Sequence, residues 1–164
     1  MLLEGANNFQ RGWVIKAHFP ETKESIDTPK PSFIMKGLHF AIVLHDHDFE
    51  DVDSRSVLVV PITTAKAEAN RAQKENRSVM SSLVRITQEK HPFLDHDSYV
   101  STGQVVTLNR EWLDSYKGEM DPDTMLQVDL QLIQTLNLYE AVETLIALKA
   151  LEQQQELQDG SSNT

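Results

Sequence analysis

The sequence predicts a mainly β domain that is followed by C-terminal α-helices. Two short runs rich in β-branched residues, 39–45 and 56–63, have the composition of strands that are buried on both faces. After residue 122 the chain contains no proline, and its apolar residues recur at helical spacing. The change of pattern near Gly118 therefore divides the 164-residue chain into a β-rich part and a helical part.

The first predicted strand, 12–19, mixes aromatic and β-branched residues and ends at Pro20. The residues that follow, 21–36, are mostly polar, include two prolines and predict a long loop. Loops of this length in a compact domain are usually functional or mobile. An acidic turn at 46–53 then separates the two strongest strands.

Residues 65–77 predict an exposed excursion from the sheet, because they contain no large apolar side chain to drive packing. Further strands are predicted at 83–87 and 98–108, with a turn at 91–95 between them. These strands complete the predicted β-rich part.

A helix start is predicted at residues 121–123, where Asp121 suits the N-cap, Pro122 the first helical position and Asp123 the positive end of the helix dipole. One unbroken helix over 122–157 would be about 54 Å long, too long for so small a domain to pack. We therefore expect a break near Asn137, or a helix that finds its partner in another chain. The apolar residues of the first helix are Leu126, Val128, Leu130, Leu132, Ile133 and Leu136, and those of the second are Tyr139, Val142, Leu145, Ile146, Leu148 and Leu151.

The net charge of −10 is distributed unevenly along the chain. Residues 1–118 carry 16 acidic and 14 basic side chains, whereas residues 119–164 carry nine acidic side chains and one lysine. The β-rich part is therefore compatible with an anionic partner such as nucleic acid. Within it, residues 66–85 hold five cations and two anions, which is typical either of a solvated loop or of a phosphate-binding segment.

The sequence contains no cysteine, which excludes disulfides, thiolate nucleophiles and cysteine-ligated zinc. No apolar stretch reaches the roughly 20 residues of a membrane-spanning helix, and the apolar run at the N-terminus is shorter than that of a signal peptide. We therefore expect a cytoplasmic protein with no membrane partner.

Short motifs follow one another along the chain in a specific order. They are Arg11-Gly12-x-Val14, Gly37-x-His39-x-Ala41-Ile42-Val43-Leu44, Val59-Val60-Pro61-Ile62-Thr63, Asp97-Ser98-Tyr99-Val100 with Gln104-x-x-Thr107-Leu108, and Leu126-x-Val128-Asp129. No single motif is diagnostic, but their order and spacing resemble the MazF/PemK (Kid) family of toxins from bacterial toxin–antitoxin systems. The resemblance runs from about Arg11 to Leu138.

The resemblance implies an SH3-like small β-barrel with a closing C-terminal helix, usually as a homodimer. It also implies a metal-independent endoribonuclease that uses no cofactor and cleaves single-stranded RNA. In the family's chemistry, the ribose 2′-hydroxyl attacks the adjacent phosphate and leaves a 2′,3′-cyclic phosphate. The implied protein partner is a small antitoxin.

On this basis residues 9–138 form the barrel domain with its closing helix. Residues 139–159 then form an appended amphipathic helix, whose apolar face is suited to dimer burial or to antitoxin contact. Residues 160–164 are predicted to form a disordered tail.

The resemblance implies His39 and Thr63 as catalytic residues. His39 stands where the family usually carries an arginine, and an imidazole exchanges a proton near neutral pH whereas a guanidinium does not. Thr63 matches a family serine or threonine that contacts the scissile phosphate. If these residues have no catalytic role, His39 is a partly buried histidine at the start of a strand and Thr63 is an ordinary threonine at the end of a strand.

The implied RNA-binding residues are Arg11, Lys36, Thr64, Arg71, Lys74, Arg85 and Gln104. Gln104 matches a family glutamine, but the arginine that follows it in the family is Val106 here. An acid–base aspartate that some members place just before this glutamine is Gly103 here. Arg11 matches a family arginine whose role we expect to be structural rather than catalytic.

Three other interpretations remain open. CcdB-like toxins bind gyrase through the same barrel, but they end in a recognition helix with a tryptophan that the end of this chain lacks. A binding module with a decayed nuclease site is favoured by His39 and Val106 in place of arginines. The run His-Asp-His-Asp at 45–48 places alternate side chains on one face, as metal ligands require, but a solvated turn is preferred because no second ligand-bearing element is evident.

Overall fold

The computed structural model describes residues 9–20, 35–46 and 55–161, with side chains described as far as residue 155. Most of the predicted loop 21–36 and acidic turn 46–53 lies outside these residues, as do residues 162–164. The described elements are β1 (Trp13–Phe19), β2 (Gly37–Val43), β3 (Ser56–Thr64), α1 (Ala65–Lys74), β4 (Leu83–Ile86), β5 (Ser98–Ser101), β6 (Val106–Asn109), a 3₁₀ turn (Arg110–Trp112), β7 (Leu113–Glu119), α2 (Pro122–Thr135) and α3 (Tyr139–Ser161).

The strands form one antiparallel sheet in the order β4-β5-β3-β2-β1-β7, with β6 beside β3. This confirms the prediction of a mainly β domain followed by C-terminal helices. The pairings among the described strands leave the sheet open, with β4 and β7 at its two ends, whereas the resemblance implies a closed barrel.

Strand β3 joins the two halves of the sheet. Its first half pairs with β6 and its last three residues pair with β5, while its middle pairs with β2. Alternate side chains of β1, β2 and β3 enter two separate hydrophobic clusters on opposite faces, so that Val59 lies in one cluster and Val60 in the other. The central strands are therefore buried on both faces, as their composition predicts.

Two strand predictions were incomplete. The predicted strand 98–108 is two strands, because the chain turns at 102–105, where the Gln104 amide donates to the Ser101 carbonyl at 2.9 Å. Strand β7 was not predicted, because its sequence LDSYKGE is mostly polar, yet it pairs with β1. Four of the seven residues in β7 have charged or polar side chains, so the local β signal is weak.

The exposed excursion predicted for residues 65–77 is the helix α1. The Thr64 hydroxyl caps it by accepting a hydrogen bond from the Ala67 amide at 3.2 Å, and alanine supplies the helix propensity. Ala72 and the carboxylate-bearing Glu68 are buried, and Arg77 donates to Glu68 at 2.7 Å. The prediction counted only large apolar residues and missed this ion pair, in which the buried carboxylate of Glu68 joins α1 to the residue Arg77 that follows the helix.

Helix α2 begins as predicted, with Pro122 in its first turn and the Asp121 carboxylate accepting from the Thr124 amide at 3.1 Å. Its buried side differs from the predicted apolar face. Val128 is fully buried, but Leu126, Leu130 and Leu136 are more than half exposed. The side that faces the core consists of Thr124, Met125, Val128 and Leu132.

The chain breaks between α2 and α3 at Asn137, whose φ of 54° lies in the left-handed region. This is the position at which a break was predicted. Along α3, Tyr139 and Leu148 are both exposed, yet at about 100° per residue they lie on opposite sides of the helix. The large apolar residues therefore extend over more than half of the circumference of α3 instead of forming one narrow face. The helix continues through Gly160 to Ser161. None of the described helices is long and apolar enough to span a membrane.

A buried histidine between β4 and β5, His91, contacts the N-cap of α2 and predicts a pH-dependent stability. Burial lowers the pKa of His91, whose Nε2 lies 3.2 Å from Asp121 Oδ2, and the hydrogen bond from the Thr124 hydroxyl lowers the pKa of Asp121 to about 2. Below pH of about 6.5 the unfolded chain takes up a proton at His91 that the folded chain does not. The free energy of unfolding is therefore expected to fall from there downward, and to fall further as Asp121 is protonated between pH 3.8 and about 2.

Urea denaturation at several pH values measures this dependence. His91→Gln cannot take up the proton, so its free energy of unfolding should vary less than that of the wild type between about pH 6.5 and 5. An equal slope for the two proteins in that interval would contradict the assignment to His91.

Candidate active site

A cavity of about 310 Å³ lies where β2 begins and β3 ends. Side chains from both faces of the sheet border it at this end, together with the first turn of α1 and the turn before β5. Its lining residues are Lys16, Leu38, His39, Phe40, Ile62, Thr63, Thr64, Ala67, Leu94, Asp95, His96 and Ser98. The two predicted catalytic residues, His39 and Thr63, are therefore brought to one cavity.

His39 is held by strand pairing and by a ring contact. It pairs with Ala17 of β1, and its imidazole meets the ring of Phe19 edge-on, with centroids 6.2 Å apart. The β2–β3 register pairs Ala41 with Pro61, so His39 and Thr63, each two residues nearer the cavity, fall on the same face of the sheet.

The end of β3 also begins α1, which directs a helix N-terminus to the cavity. Thr64 and Ala67 both border the cavity, and the Thr64 hydroxyl caps the helix. The first amides of an α-helix carry partial positive charge and bind phosphate groups. A threonine pair and a helix N-terminus at one place form an arrangement suited to an anionic ligand.

The turn before β5 is fixed by several hydrogen bonds. The Ala65 amide donates to the Asp97 carbonyl at 2.9 Å, and the buried Ser98 hydroxyl donates to the His96 carbonyl at 3.0 Å. The Asp97 carboxylate accepts from the Gln88 amide at 3.1 Å and from Arg85 at 3.0 Å, and these two bonds lower the pKa of Asp97. The neighbouring side chains of Asp95 and His96 are thus presented at the cavity on a well-held backbone.

Three charged or titratable residues of this cavity were missed by the sequence analysis, namely Lys16, Asp95 and His96. Lys16 lies in the first predicted strand and pairs with Phe40, the residue after His39. The sequence of β1 could have indicated Lys16. Side chains alternate between the two faces of a strand, and Lys16 lies between the buried residues Ile15 and Ala17, on the opposite face from them. Asp95 and His96 lie in the turn before β5, and only the three-dimensional register brings them to the cavity.

Two of the predicted RNA-binding residues, Arg11 and Gln104, make contacts away from this cavity. Arg11 donates to the Leu44 carbonyl and to the Asp129 carboxylate, so it ties the start of β1 to α2, as expected of a structural residue. Gln104 borders a second cavity of about 360 Å³, and its side-chain oxygen accepts from the Met35 amide at 3.0 Å. The structure therefore does not place either residue at the cavity of His39.

The predicted basic residues after β3 are partly neutralised. Arg71 lies 3.7 Å from the buried carboxylate of Glu68, and Arg85 is paired with Asp97. Lys74 is exposed near the end of α1, at the opposite end from the cavity. Lys36 is half-buried and immediately precedes β2, but it does not border the cavity. Thr64 is thus the one predicted RNA-binding residue found among the lining residues.

The run 45–48 was considered as a possible metal site. Its first histidine, His45, lies within the described residues and makes ordinary hydrogen bonds. His45 accepts from the Leu58 amide at Nε2 and donates from Nδ1 to the Asp46 carbonyl, at 3.0 and 2.9 Å. Within residues 9–20, 35–46 and 55–161, no three histidine or acidic side chains are grouped as metal ligands. His47 and Asp48 lie outside the described residues.

Solved structures with the same fold come from toxin systems. An endoribonuclease from a mycobacterial species, solved in complex with its cognate antitoxin, matches with a TM-score of 0.52 and 19% identity over 79% of this chain and 95% of that one. MazF (Form-I) from Deinococcus radiodurans matches with a TM-score of 0.54 and 16% identity over 79% and 97% of the two chains. At such identities the likeness shows the fold alone. The comparison with curated proteins found no match.

A family model gives the closer assignment. Residues 10–136 match the model described as PemK-like, MazF-like toxin of type II toxin-antitoxin system. The matched segment contains the whole sheet, α1, α2 and every residue that borders the cavity of His39. The chain therefore belongs to the PemK-like, MazF-like family of toxins from type II toxin–antitoxin systems.

Proposed function

We propose that this toxin is an endoribonuclease that cleaves single-stranded RNA in the cytoplasm without a metal ion or cofactor. The observation that carries this proposal is the meeting of His39, Thr63 and Thr64 with the N-terminus of α1 around one cavity. These groups can together exchange a proton and hold a phosphate, which are the two needs of 2′-hydroxyl attack. Support also comes from the solved mycobacterial endoribonuclease with the same fold.

In the proposed reaction, the imidazole of His39 transfers a proton, either as the base that removes the proton of the ribose 2′-hydroxyl or as the acid that protonates the leaving oxygen. The 2′-oxygen forms a bond to phosphorus while the bond from phosphorus to the 5′-oxygen of the next nucleotide breaks. The products are a 2′,3′-cyclic phosphate and, after protonation of the leaving oxygen, a free 5′-hydroxyl. The net reaction consumes no water and no external proton.

Charge that develops on the phosphate oxygens needs donors. The hydroxyls of Thr63 and Thr64 are neutral donors at the cavity. The amides of Ala65 and Ala67 already donate to Asp97 and Thr64, so α1 contributes chiefly the partial positive charge of its N-terminus.

Lys16 adds a full positive charge at the cavity. This charge substitutes for the two family arginines, whose positions are occupied by His39 and Val106 in this chain. A lysine supplies this charge without the bidentate geometry of an arginine.

The proposed protein partners are a cognate antitoxin and a second copy of the chain. The family is defined by its toxin–antitoxin systems, and the mycobacterial endoribonuclease was solved with its antitoxin. Helix α3 and the outer side of α2 expose large apolar residues that a partner would cover. The proposal for both partners is tested by size-exclusion chromatography of the toxin alone and with the product of a neighbouring gene.

The proposed activity is tested with purified protein and a panel of single-stranded RNAs in EDTA. Cleavage is expected to continue in EDTA and to leave a 2′,3′-cyclic phosphate, identified by mass spectrometry. A matched RNA with 2′-deoxyribose at the cleaved position should resist cleavage there, because it lacks the attacking hydroxyl. An RNA panel left intact, or cleavage that requires added divalent metal, would contradict the proposal.

Growth of bacteria that express the chain provides an independent measurement. Expression of the wild type is expected to stop growth, whereas expression of His39→Ala to the same level is not. Intact RNA together with growth arrest would favour a binding function over cleavage.

A further inference from the structure

The cavity holds two imidazoles, which lie on opposite sides of the end of β3. His39 comes from β2 on one side, and His96 comes from the turn before β5 on the other. Thr63 and Thr64 lie between them and pair with Tyr99 and Ser98 of β5. Since adjacent strands are about 4.8 Å apart, the strands β2 and β5, which flank β3, are spaced roughly 10 Å apart.

This separation suits in-line attack on phosphorus. The attacking 2′-oxygen and the leaving 5′-oxygen lie on opposite sides of the phosphorus atom in such a reaction. A base is needed beside the first oxygen and an acid beside the second, and one side chain cannot reach both at once. A phosphate bound between the histidines, at the end of β3, would have one imidazole on each side.

His96 has an exposed side chain on a fixed backbone. Its carbonyl accepts from the Ser98 hydroxyl, and the next residue, Asp97, is held by Ala65, Arg85 and Gln88. If His96 stabilised the core or capped a helix, its imidazole would make the hydrogen bonds. The hydrogen bonds described for this turn are instead made by the backbone and by the Asp97 carboxylate. The turn therefore fixes the backbone of His96 beside the cavity, and its exposed imidazole is accessible to a substrate bound there.

We propose that His96 is a second acid–base residue of this site, which acts with His39 on opposite sides of the scissile phosphate. This inference depends on the proposed ribonuclease function. One imidazole takes the proton of the 2′-hydroxyl while the phosphorus–2′-oxygen bond forms. The other, as imidazolium, gives its proton to the 5′-oxygen while the phosphorus–5′-oxygen bond breaks. Proton transfer through solvent then restores both histidines.

The test compares two RNA substrates of the same sequence. One is ordinary RNA, and the other carries sulfur in place of the leaving 5′-oxygen at the cleaved position. A thiolate leaves without being protonated, so the sulfur substrate does not need the acid but still needs the base. The proteins are the wild type, His39→Gln, His96→Gln and, as a matched control, His18→Gln, which changes an exposed histidine that does not border the cavity.

On ordinary RNA, His39→Gln and His96→Gln are each expected to cleave about 10²–10⁴-fold more slowly than the wild type. His18→Gln should cleave normally. On the sulfur substrate, only one of the two slow variants should return to near the wild-type rate, and that variant lacks the acid. Circular dichroism and the thermal midpoint of each variant report whether it has folded.

Three results would overturn the inference. They are normal cleavage of ordinary RNA by His96→Gln, rescue of both slow variants by sulfur, and rescue of neither. If His96→Gln cleaves normally while His39→Gln does not, the ribonuclease function stands and only the role of His96 fails. If the wild type cleaves neither substrate, the proposed function fails and this inference fails with it.

Discussion

Replacement of His39 by alanine is expected to slow RNA cleavage by about 10²–10⁴-fold, the usual contribution of general acid–base catalysis. His39 borders the cavity with Thr63, and within the described residues its strand pairing to Ala17 is made by the backbone, which alanine retains. The lost side-chain contact is the edge-on approach to Phe19. The fold should therefore persist while the proton transfer is lost.

Single-turnover cleavage of one RNA oligonucleotide measures this effect, with the thermal midpoint measured in parallel. His18→Ala is the matched control, since it removes a neighbouring histidine that is exposed and outside the cavity. A purely structural histidine would lower the thermal midpoint without slowing cleavage at temperatures well below it. That combination of results would contradict a catalytic role for His39.

Replacement of Gly118 by alanine is expected to destabilise the fold by about 1–3 kcal/mol, as overpacking of a core does. A Cβ at this position would lie 2.2 Å from Cδ1 and 2.6 Å from Cγ and Cε1 of Phe93. No side chain tolerates such distances, so the ring or strand β7 must move. Phe93 packs against the hydrophobic cluster that includes Val128, and movement of the ring disturbs that cluster.

The thermal midpoint should fall by about 2–4 °C for each kcal/mol in a chain of this size. Gly103→Ala is the matched control, because a Cβ there would lie at an ordinary distance of 3.6 Å from Ser82 Oγ. Its thermal midpoint should be unchanged or slightly raised. Reduction of the ring in the double variant Gly118→Ala/Phe93→Leu should restore part of the loss, and a Gly118→Ala midpoint equal to that of the wild type would contradict the clash.

The sequence was informative where local chemistry alone decides the structure. The N-cap at Asp121, the break at Asn137 and the buried runs of β2 and β3 depend on the residues themselves, and all are present. Strand β7 depends on pairing with β1, which lies about a hundred residues away in the chain, and its polar residues gave no local signal. The helix α1 depends on a buried carboxylate matched by Arg77, a pairing that a count of apolar residues does not detect.

The same distinction applies to the candidate site. His39 and Thr63 were found because each lies in a motif on a strand, and the register between those strands brings them to one face. His96 and Lys16 reach the cavity through the pairing of β3 with β5 and of β1 with β2. Their positions are therefore a property of the assembled sheet, and no short stretch of sequence contains it.

Thr64 is the last residue of β3 and the N-cap of α1, and it also borders the cavity. A hydroxyl accepts one hydrogen bond and donates another at the same time. Its oxygen is used by the Ala67 amide, and its hydrogen remains to be given to a bound phosphate. An aspartate would cap the helix equally well but would offer a phosphate only negative charge. A side chain that both caps the helix and donates to an anionic substrate must combine an acceptor with a donor, as the hydroxyl of Thr64 does.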